Sequence, residues 1–120
     1  VHALSYPLGG TYHVAHGEAN YQFFTEVFKL YHSKNPDGII REVNALYAAL
    51  LGCDETRVYE ELDNLLGNLI SKNELKTYGM KEADVDGFTQ SVLVSQQRLL
   101  NNNYVPLSEA EIRDIYATLY

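Results

Sequence analysis

Apolar side chains recur every three or four residues along nearly all of this 120-residue chain, and no run of strand length alternates apolar with polar residues. That spacing places the apolar side chains on one face of an α-helix. The longest stripe predicts a helix from about His16 to His32, and Asn35-Pro36-Asp37-Gly38 follows it with the residues of a turn. The sequence therefore predicts an all-α domain, a bundle of five or six helices joined by short loops.

Capping residues divide the middle of the chain into two further helices. The stripe that begins at Ile39 predicts a helix ending at Gly52, because glycine readily adopts the left-handed conformation that closes a helix. Asp54 has a side chain that accepts hydrogen bonds from free backbone N–H groups. We therefore expect Asp54 to begin a third helix, whose apolar residues continue as far as Ile70.

The last third of the chain predicts two more helices. Apolar residues from Val85 to Leu99 indicate one helix, in which Gly87 is a weak point because glycine costs backbone entropy in a helix. Ser108 and Glu111 have the spacing of a capping box, in which each side chain binds the backbone of the other residue. We expect the final helix to begin there.

Composition excludes several classes of protein. Nine Lys and Arg residues face sixteen Asp and Glu residues, which gives a net charge of −7. No basic stripe is present to contact phosphates, so the composition argues against nucleic acid as a partner. No stretch approaches the ~18 apolar residues that a membrane span needs. The single cysteine, Cys53, cannot form an internal disulfide, which indicates a cytoplasmic location.

Three of the four histidines, His2, His13 and His16, lie near the start of the chain. Pro7 predicts the end of the helix that carries His2, because proline lacks the N–H of a helical hydrogen bond. Gly9-Gly10 then predicts a sharp reversal. Imidazoles on two adjacent helix ends can converge on one point and bind zinc or iron through neutral nitrogens.

Histidine spacing alone leaves several interpretations open. A complete metal site needs three or four ligands, and His13 is the obvious third candidate, although it can equally face solvent or a substrate. A small zinc hydrolase using His2, His13 and His16 is one hypothesis, but Glu18 is only a distant candidate for its general base. Another hypothesis is an independent helical interaction module in which the histidines are incidental.

Three ordered segments resemble one known family, the iron-containing (group III) alcohol dehydrogenases. The first is similar to the metal-binding signature of that family and contains His2, Pro7-Leu8-Gly9, Tyr12, His16-Gly17 and Ala19-Asn20. The segments 78–85 and 103–112 resemble two later segments of the family at matching separations. Within the family, the residues around His2 and His16 are most similar to those of enzymes that act on 4-hydroxybutyrate.

The resemblance implies a domain organisation. Family members join an N-terminal dinucleotide-binding α/β domain to a C-terminal all-α domain of the dehydroquinate-synthase-like fold. Residues 1–120 correspond to the second domain, so we expect a longer polypeptide whose first domain is absent here. Val1 to Tyr6 also reads as the end of a helix that begins upstream. By itself the chain is then expected to be inactive.

The resemblance also implies a metal site and a reaction. In the family an Asp and three His hold the metal, Fe²⁺ or Zn²⁺, and the last two His correspond to His2 and His16. The Asp, the other His and the Gly-rich segments for NAD or NADP belong to the preceding part of the polypeptide. A bound metal acts as a Lewis acid on the alcohol oxygen, and hydride passes to the nicotinamide. The implied reaction is 4-hydroxybutyrate to succinate semialdehyde, or the reverse, in a homo-oligomer.

The chain departs from the family at two places. Tyr6 occupies a position where many members have a second His, and a phenol donates a hydrogen bond but accepts protons poorly at neutral pH. We therefore predict a role for Tyr6 in the substrate pocket, with His13 as a candidate titrating group in that pocket. The family's Asn-Pro-Arg is replaced by Asn103-Tyr104-Val105, so no role of that Arg can be carried over.

Overall fold

The structure, a computed structural model, describes residues 1–120 and contains helices and no strands. Seven α-helices follow one another: α1 (His2–Tyr12), α2 (His16–Lys34), α3 (Ile39–Leu51), α4 (Val58–Gly67), α5 (Asp84–Ser95), α6 (Gln97–Leu100) and α7 (Glu109–Leu119). Two short 3₁₀ helices lie at Glu55–Arg57 and Leu75–Tyr78. The all-α prediction is confirmed. None of these helices combines the length and apolarity that crossing a bilayer requires.

The chain forms two compact units, and the first contains residues 1–24 and 73–120. Its core contains Leu4 and Leu8 of α1, Phe23 of α2, and Tyr116 of α7, all of them buried. The Tyr116 ring meets Phe23 edge-on, with ring centroids 5.4 Å apart. Its hydroxyl donates a 2.6 Å hydrogen bond to the Leu4 carbonyl oxygen. Burial raises the pKa of Tyr116, so the phenol stays neutral and α7 is fixed to α1.

The second unit contains residues 25–72. Ala48 of α3 packs with Val58 and Leu62 of α4 to form its core. The predicted cap at Gly52 is confirmed here, since Gly52 ends α3 in the left-handed conformation with φ 67°. Asp54 was predicted to begin the third α-helix, but it caps the short 3₁₀ helix instead, accepting a 2.9 Å hydrogen bond from the Thr56 N–H, and α4 begins after Arg57.

Pro7 was predicted to end the first helix, and that prediction is wrong. Pro7 lies inside α1, Gly9-Gly10 continue the helix, and the chain reverses at His13, which is left-handed with φ 55°. A proline in a helix interior costs about 3 kcal/mol, because it removes one helical hydrogen bond and its ring crowds the carbonyl of the preceding turn. Burial of Leu4 and Leu8 on both sides of the proline offsets that cost, since each buried leucine contributes roughly 1.5–3 kcal/mol.

Two helix ends also differ from prediction. The predicted helix from Val85 to Leu99 is divided at Gln96, while Gly87 lies within α5. The Gln97 side-chain amide donates to the Leu93 carbonyl oxygen, the acceptor that the Gln97 backbone N–H uses in an uninterrupted helix. This division raises the count from the predicted five or six helices to seven.

The third predicted helix ends earlier than expected. α4 stops at Gly67, and Leu69 and Ile70 lie beyond it with exposed side chains. The N–H of Leu69 bonds to the Leu66 carbonyl oxygen at 2.9 Å, which is the tighter pattern of a helix terminus. Because neither side chain is buried, packing provides no reason to extend the helix.

The Tyr12–Asp84 hydrogen bond predicts an acid-dependent stability. Asp84 accepts hydrogen bonds from the Tyr12 hydroxyl and the Lys81 N–H, and these contacts lower the pKa of its carboxyl. Because the pKa of the carboxyl is lower in the folded state than in the unfolded state, the ionised carboxylate stabilises the fold at pH values above the unfolded-state pKa. This stabilisation is lost as the pH falls through the folded-state pKa. We expect the thermal midpoint to fall below about pH 4. Asp84→Asn should weaken this dependence.

The measurement is the thermal midpoint by circular dichroism between pH 7 and pH 3. Asp114→Asn, a change of an exposed aspartate on α7, is the matched control and should keep the full acid dependence. An identical dependence in the original chain and in Asp84→Asn would contradict the assignment.

Candidate metal and substrate site

The turn between α1 and α2 brings the first and last histidines of the N-terminal segment together. His2 lies on α1, and His16 is the first residue of α2. Their ring centroids are 5.1 Å apart with an interplanar angle of 52°. Both side chains are exposed. This is the convergence that the sequence predicted for His2 and His16.

The third histidine of the segment lies elsewhere. His13 occupies the left-handed position of the turn and its side chain is exposed. No group of three His, Cys, Asp or Glu side chains in the chain is arranged to hold a metal ion. The zinc hydrolase hypothesis, which required His2, His13 and His16 together, therefore has no site in this structure. As a pocket residue, His13 remains a prediction.

A cavity of about 200 Å³ lies beside the histidine pair. It is lined by Ser5, Tyr6, Gly9, Gly10, Val14, His16 and Ala19. The Tyr6 ring is 47% exposed, and its centroid lies 6.1 Å from that of His16. Tyr6 is therefore a half-exposed residue of the cavity lining, close to His16. The lining contains no Lys or Arg side chain, so the cavity itself offers no fixed positive charge.

Two residues behind the histidines form hydrogen bonds that sequence analysis did not identify. Ser5 is buried on α1, and its hydroxyl donates to Asn20 Oδ1 on α2 at 2.7 Å. Asn20 Nδ2 lies 3.0 Å from Nε2 of His16. Helical spacing was the available signal, because residues three or four apart share a face. Ser5 follows His2 by three residues and Asn20 follows His16 by four.

A second hydrogen-bond network stabilises the first turns of α2. The Tyr78 hydroxyl donates to Glu18 Oε1 at 2.8 Å and accepts from Nε2 of Gln22 at 3.0 Å. Gln22 is fully buried, and its Oε1 accepts from the Asn73 N–H at 2.9 Å. Burial is the largest cause that raises the pKa of Tyr78, so its hydroxyl stays protonated and keeps its donor. Glu18 is thereby occupied in a structural contact.

A family profile and two curated relatives were found to match this chain. Residues 1–120 match the sequence profile described as the Fe-containing alcohol dehydrogenase family, C-terminal. The chain is 56% identical over 120 residues to 4-hydroxybutyrate dehydrogenase of Clostridium kluyveri, which covers 100% of this chain and 32% of that protein. It is 33% identical over 124 residues to long-chain-alcohol dehydrogenase 1 of Geobacillus thermodenitrificans, covering 31% of that protein.

The chain thus spans about a third of the length of these two curated relatives. No solved structure matches the chain at a comparable level of significance. The family match covers every residue, including the three segments that carried the resemblance in the sequence. The chain therefore belongs to the Fe-containing alcohol dehydrogenase family, and it corresponds to the C-terminal domain of that family.

Proposed function

We propose that the chain is the C-terminal domain of a metal-dependent, NAD- or NADP-dependent alcohol dehydrogenase that interconverts 4-hydroxybutyrate and succinate semialdehyde. The observation that carries this proposal is the approach of the His2 and His16 rings to 5.1 Å in a chain of this family. The choice of substrate is supported by 56% identity to a relative named 4-hydroxybutyrate dehydrogenase. The long-chain-alcohol dehydrogenase is less similar, at 33%.

His2 and His16 are the proposed metal ligands of this chain. Neutral imidazoles are common ligands for Fe²⁺ and Zn²⁺, and two exposed rings in contact fit that role. Because no third ligand group lies with them, the remaining ligands are proposed to come from the preceding domain of the polypeptide. When bound, the metal supplies Lewis acidity that favours the alkoxide form of the alcohol. NAD or NADP is proposed to bind mainly to that preceding domain.

The cavity beside His16 is the proposed place for the reacting end of the substrate. Tyr6 offers a phenolic hydroxyl there, which can donate a hydrogen bond to a substrate oxygen. Apart from Tyr6 and His16 the lining is small or apolar, with Gly9, Gly10 and Ala19 among its members, and we propose that it admits a short unbranched chain. His13 does not line this cavity, and its predicted pocket role is proposed only for the full-length enzyme.

The substrate carboxylate needs a positive group, and the cavity lining does not contain one. A carboxylate that loses water without a partner carries a cost of several kcal/mol. We therefore propose that a Lys or Arg of the preceding domain binds the carboxylate, while this chain binds the alcohol end. This division also agrees with the net charge of −7, because the chain as a whole repels an acid substrate.

The second unit offers a surface on which further polypeptide can dock. α3 buries Ile40 and Ala48 on one face and exposes Ile39, Leu46 and Leu50 on another. Leu50 is 74% exposed. Contiguous exposed apolar side chains commonly mark an interaction surface. We propose that the preceding domain of the same polypeptide covers this face, and that the full-length enzyme is a homo-oligomer of the cytoplasm.

The test of the proposed function is an assay of the full-length enzyme. It should reduce NAD or NADP with 4-hydroxybutyrate at a higher kcat/KM than with a long-chain alcohol, and treatment with a chelator should abolish the activity. The 120-residue chain alone should show no activity, because it holds only part of the metal site. Full activity after complete removal of metal would contradict the proposal, as would a preference for the long-chain alcohol.

An independent interaction module is the second candidate function, and the exposed apolar face of α3 is the observation that favours it. The same assay distinguishes the two. An interaction module predicts a full-length protein without dehydrogenase activity.

A further inference from the structure

We propose that Ser5 and Asn20 are positioning residues that hold the His16 imidazole, and its spacing from His2, in the arrangement that binds metal. This inference rests on the proposed function, because it concerns the hydrogen bonds that Ser5 and Asn20 form with the proposed ligands His2 and His16. Neither residue faces the metal in this role. Ser5 and Asn20 act through the two histidines.

Ser5 joins the two helices that carry the histidines. Its side chain is 1% exposed, so its hydroxyl has no access to bulk water. The oxygen lies 2.9 Å from the His2 carbonyl oxygen on its own helix and 2.7 Å from Asn20 Oδ1 on α2. One buried hydroxyl therefore contacts the backbone of one histidine and the side chain that reaches the other.

Asn20 uses both ends of its amide. One end of the amide lies 2.7 Å from the Ser5 hydroxyl and the other lies 3.0 Å from Nε2 of His16, and the tautomer of the ring sets which atom donates. Because the Asn20 amide is held at both ends, it restricts rotation of the His16 ring before the metal binds. Little further conformational entropy is then lost when the imidazole binds the metal. Helical spacing maintains this contact, because Asn20 lies one turn after His16 on α2.

Only one neutral form of the imidazole leaves a ring nitrogen for the metal. If Asn20 Nδ2 donates to Nε2 of His16, the ring proton is on Nδ1 and neither nitrogen can bind a metal. If the Asn20 amide is rotated by half a turn, Nδ2 donates to Ser5, and the Ser5 hydroxyl donates to the His2 carbonyl oxygen. Oδ1 then accepts from the Nε2–H of His16, and the lone pair of Nδ1 is available to the metal. The arrangement that positions His16 for metal is therefore the second one.

Outer hydrogen bonds of this kind commonly change metal affinity by about 10–100-fold when they are removed. We expect Asn20→Ala to weaken Zn²⁺ binding by the full-length enzyme within that range. Ser5→Ala should weaken it in the same direction by a smaller factor, because Asn20 then keeps its contact with His16. In the double variant, the fold-loss of Zn²⁺ affinity should be smaller than the product of the fold-losses in the two single variants, because Ser5 acts partly through Asn20.

The experiment measures the dissociation constant of Zn²⁺ for the full-length enzyme by competition with a chromophoric chelator. Ser33→Ala is the matched control. Ser33 donates to the Leu30 carbonyl oxygen at 2.9 Å with the same three-residue spacing as Ser5 and His2, but it contacts neither histidine. The Ser33 variant should bind Zn²⁺ like the original enzyme. Melting curves of each variant show whether the fold is retained, and Ser5→Ala, the smaller change, tests the inference if Asn20→Ala does not fold.

Three outcomes overturn the inference. Unchanged Zn²⁺ affinity in Asn20→Ala, with metal still lost in His16→Ala, rejects the positioning role and leaves the proposed function intact. Tighter binding in Asn20→Ala shows that the amide competes with the metal for Nε2. Independent effects that multiply in the double variant show that Ser5 does not act through Asn20. If His16→Ala itself keeps the metal, the proposed function fails first.

Discussion

Replacing His16 with alanine in the full-length enzyme is expected to abolish both metal retention and alcohol oxidation. The substitution removes one imidazole of the pair whose ring centroids lie 5.1 Å apart, and of the two proposed ligands only His2 then remains. A site with one ligand fewer binds metal weakly and positions it poorly. We expect a loss of more than about 100-fold in metal affinity, beyond the effect typical of outer hydrogen bonds.

The measurements are metal content after gel filtration and the rate of 4-hydroxybutyrate oxidation. His32→Ala is the matched control, because His32 also lies on α2, sixteen residues further along the same helix. Its Nδ1 lies 3.3 Å from Nδ2 of Asn44 in the second unit, and it has no contact with His2. The control should keep both metal and activity. A His16→Ala enzyme with full metal content would refute the ligand assignment.

Replacing Tyr116 with alanine should cause the largest loss of stability in the first unit. The ring is fully buried and lies edge-on against both Phe23 and Phe88, with centroid distances of 5.4 Å and 5.8 Å. Removal of a buried aromatic ring leaves a cavity and costs about 3–5 kcal/mol. Urea unfolding of the 120-residue chain, followed by far-ultraviolet circular dichroism, measures this loss.

The variant Tyr116→Phe separates the ring from the hydroxyl. It keeps the aromatic packing and removes only the 2.6 Å hydrogen bond to the Leu4 carbonyl oxygen. Because that carbonyl also belongs to α1, it keeps helical contacts, and we expect a loss of about 1 kcal/mol. Equal losses in the two variants would show that the ring contributes nothing, in conflict with its burial.

Helix positions were predictable where local chemistry decides them. The capping box of Ser108 and Glu111 is present as predicted, with hydrogen bonds of 3.2 Å and 2.7 Å between side chain and backbone. Gly52 closes α3 as predicted. Both signals depend on neighbouring residues alone. Pro7 shows the limit of such signals, because the burial of Leu4 and Leu8 depends on distant segments that a proline rule does not include.

The candidate site was predictable to a similar extent. The family resemblance selected His2 and His16, and the structure brings their rings into contact. Ser5 and Asn20 could not be paired from the sequence, because the angle between α1 and α2 decides whether a serine on one helix reaches an amide on the other. The turn at His13 sets that angle, and its left-handed conformation is uncommon for a residue other than glycine.

The hydrogen bond between Tyr116 and Leu4 joins residues 112 positions apart, and this has a consequence for biosynthesis. A ribosome adds roughly 5–20 residues per second, so roughly 6–22 s separate the synthesis of these two residues. During that interval the segment that carries His2 has been made, but the helix that completes its packing has not. The packing of α7 against α1, the helix that carries His2, therefore forms late in translation. A nascent chain arrested before α7 leaves the apolar face of α1 that packs against Tyr116 accessible to chaperones.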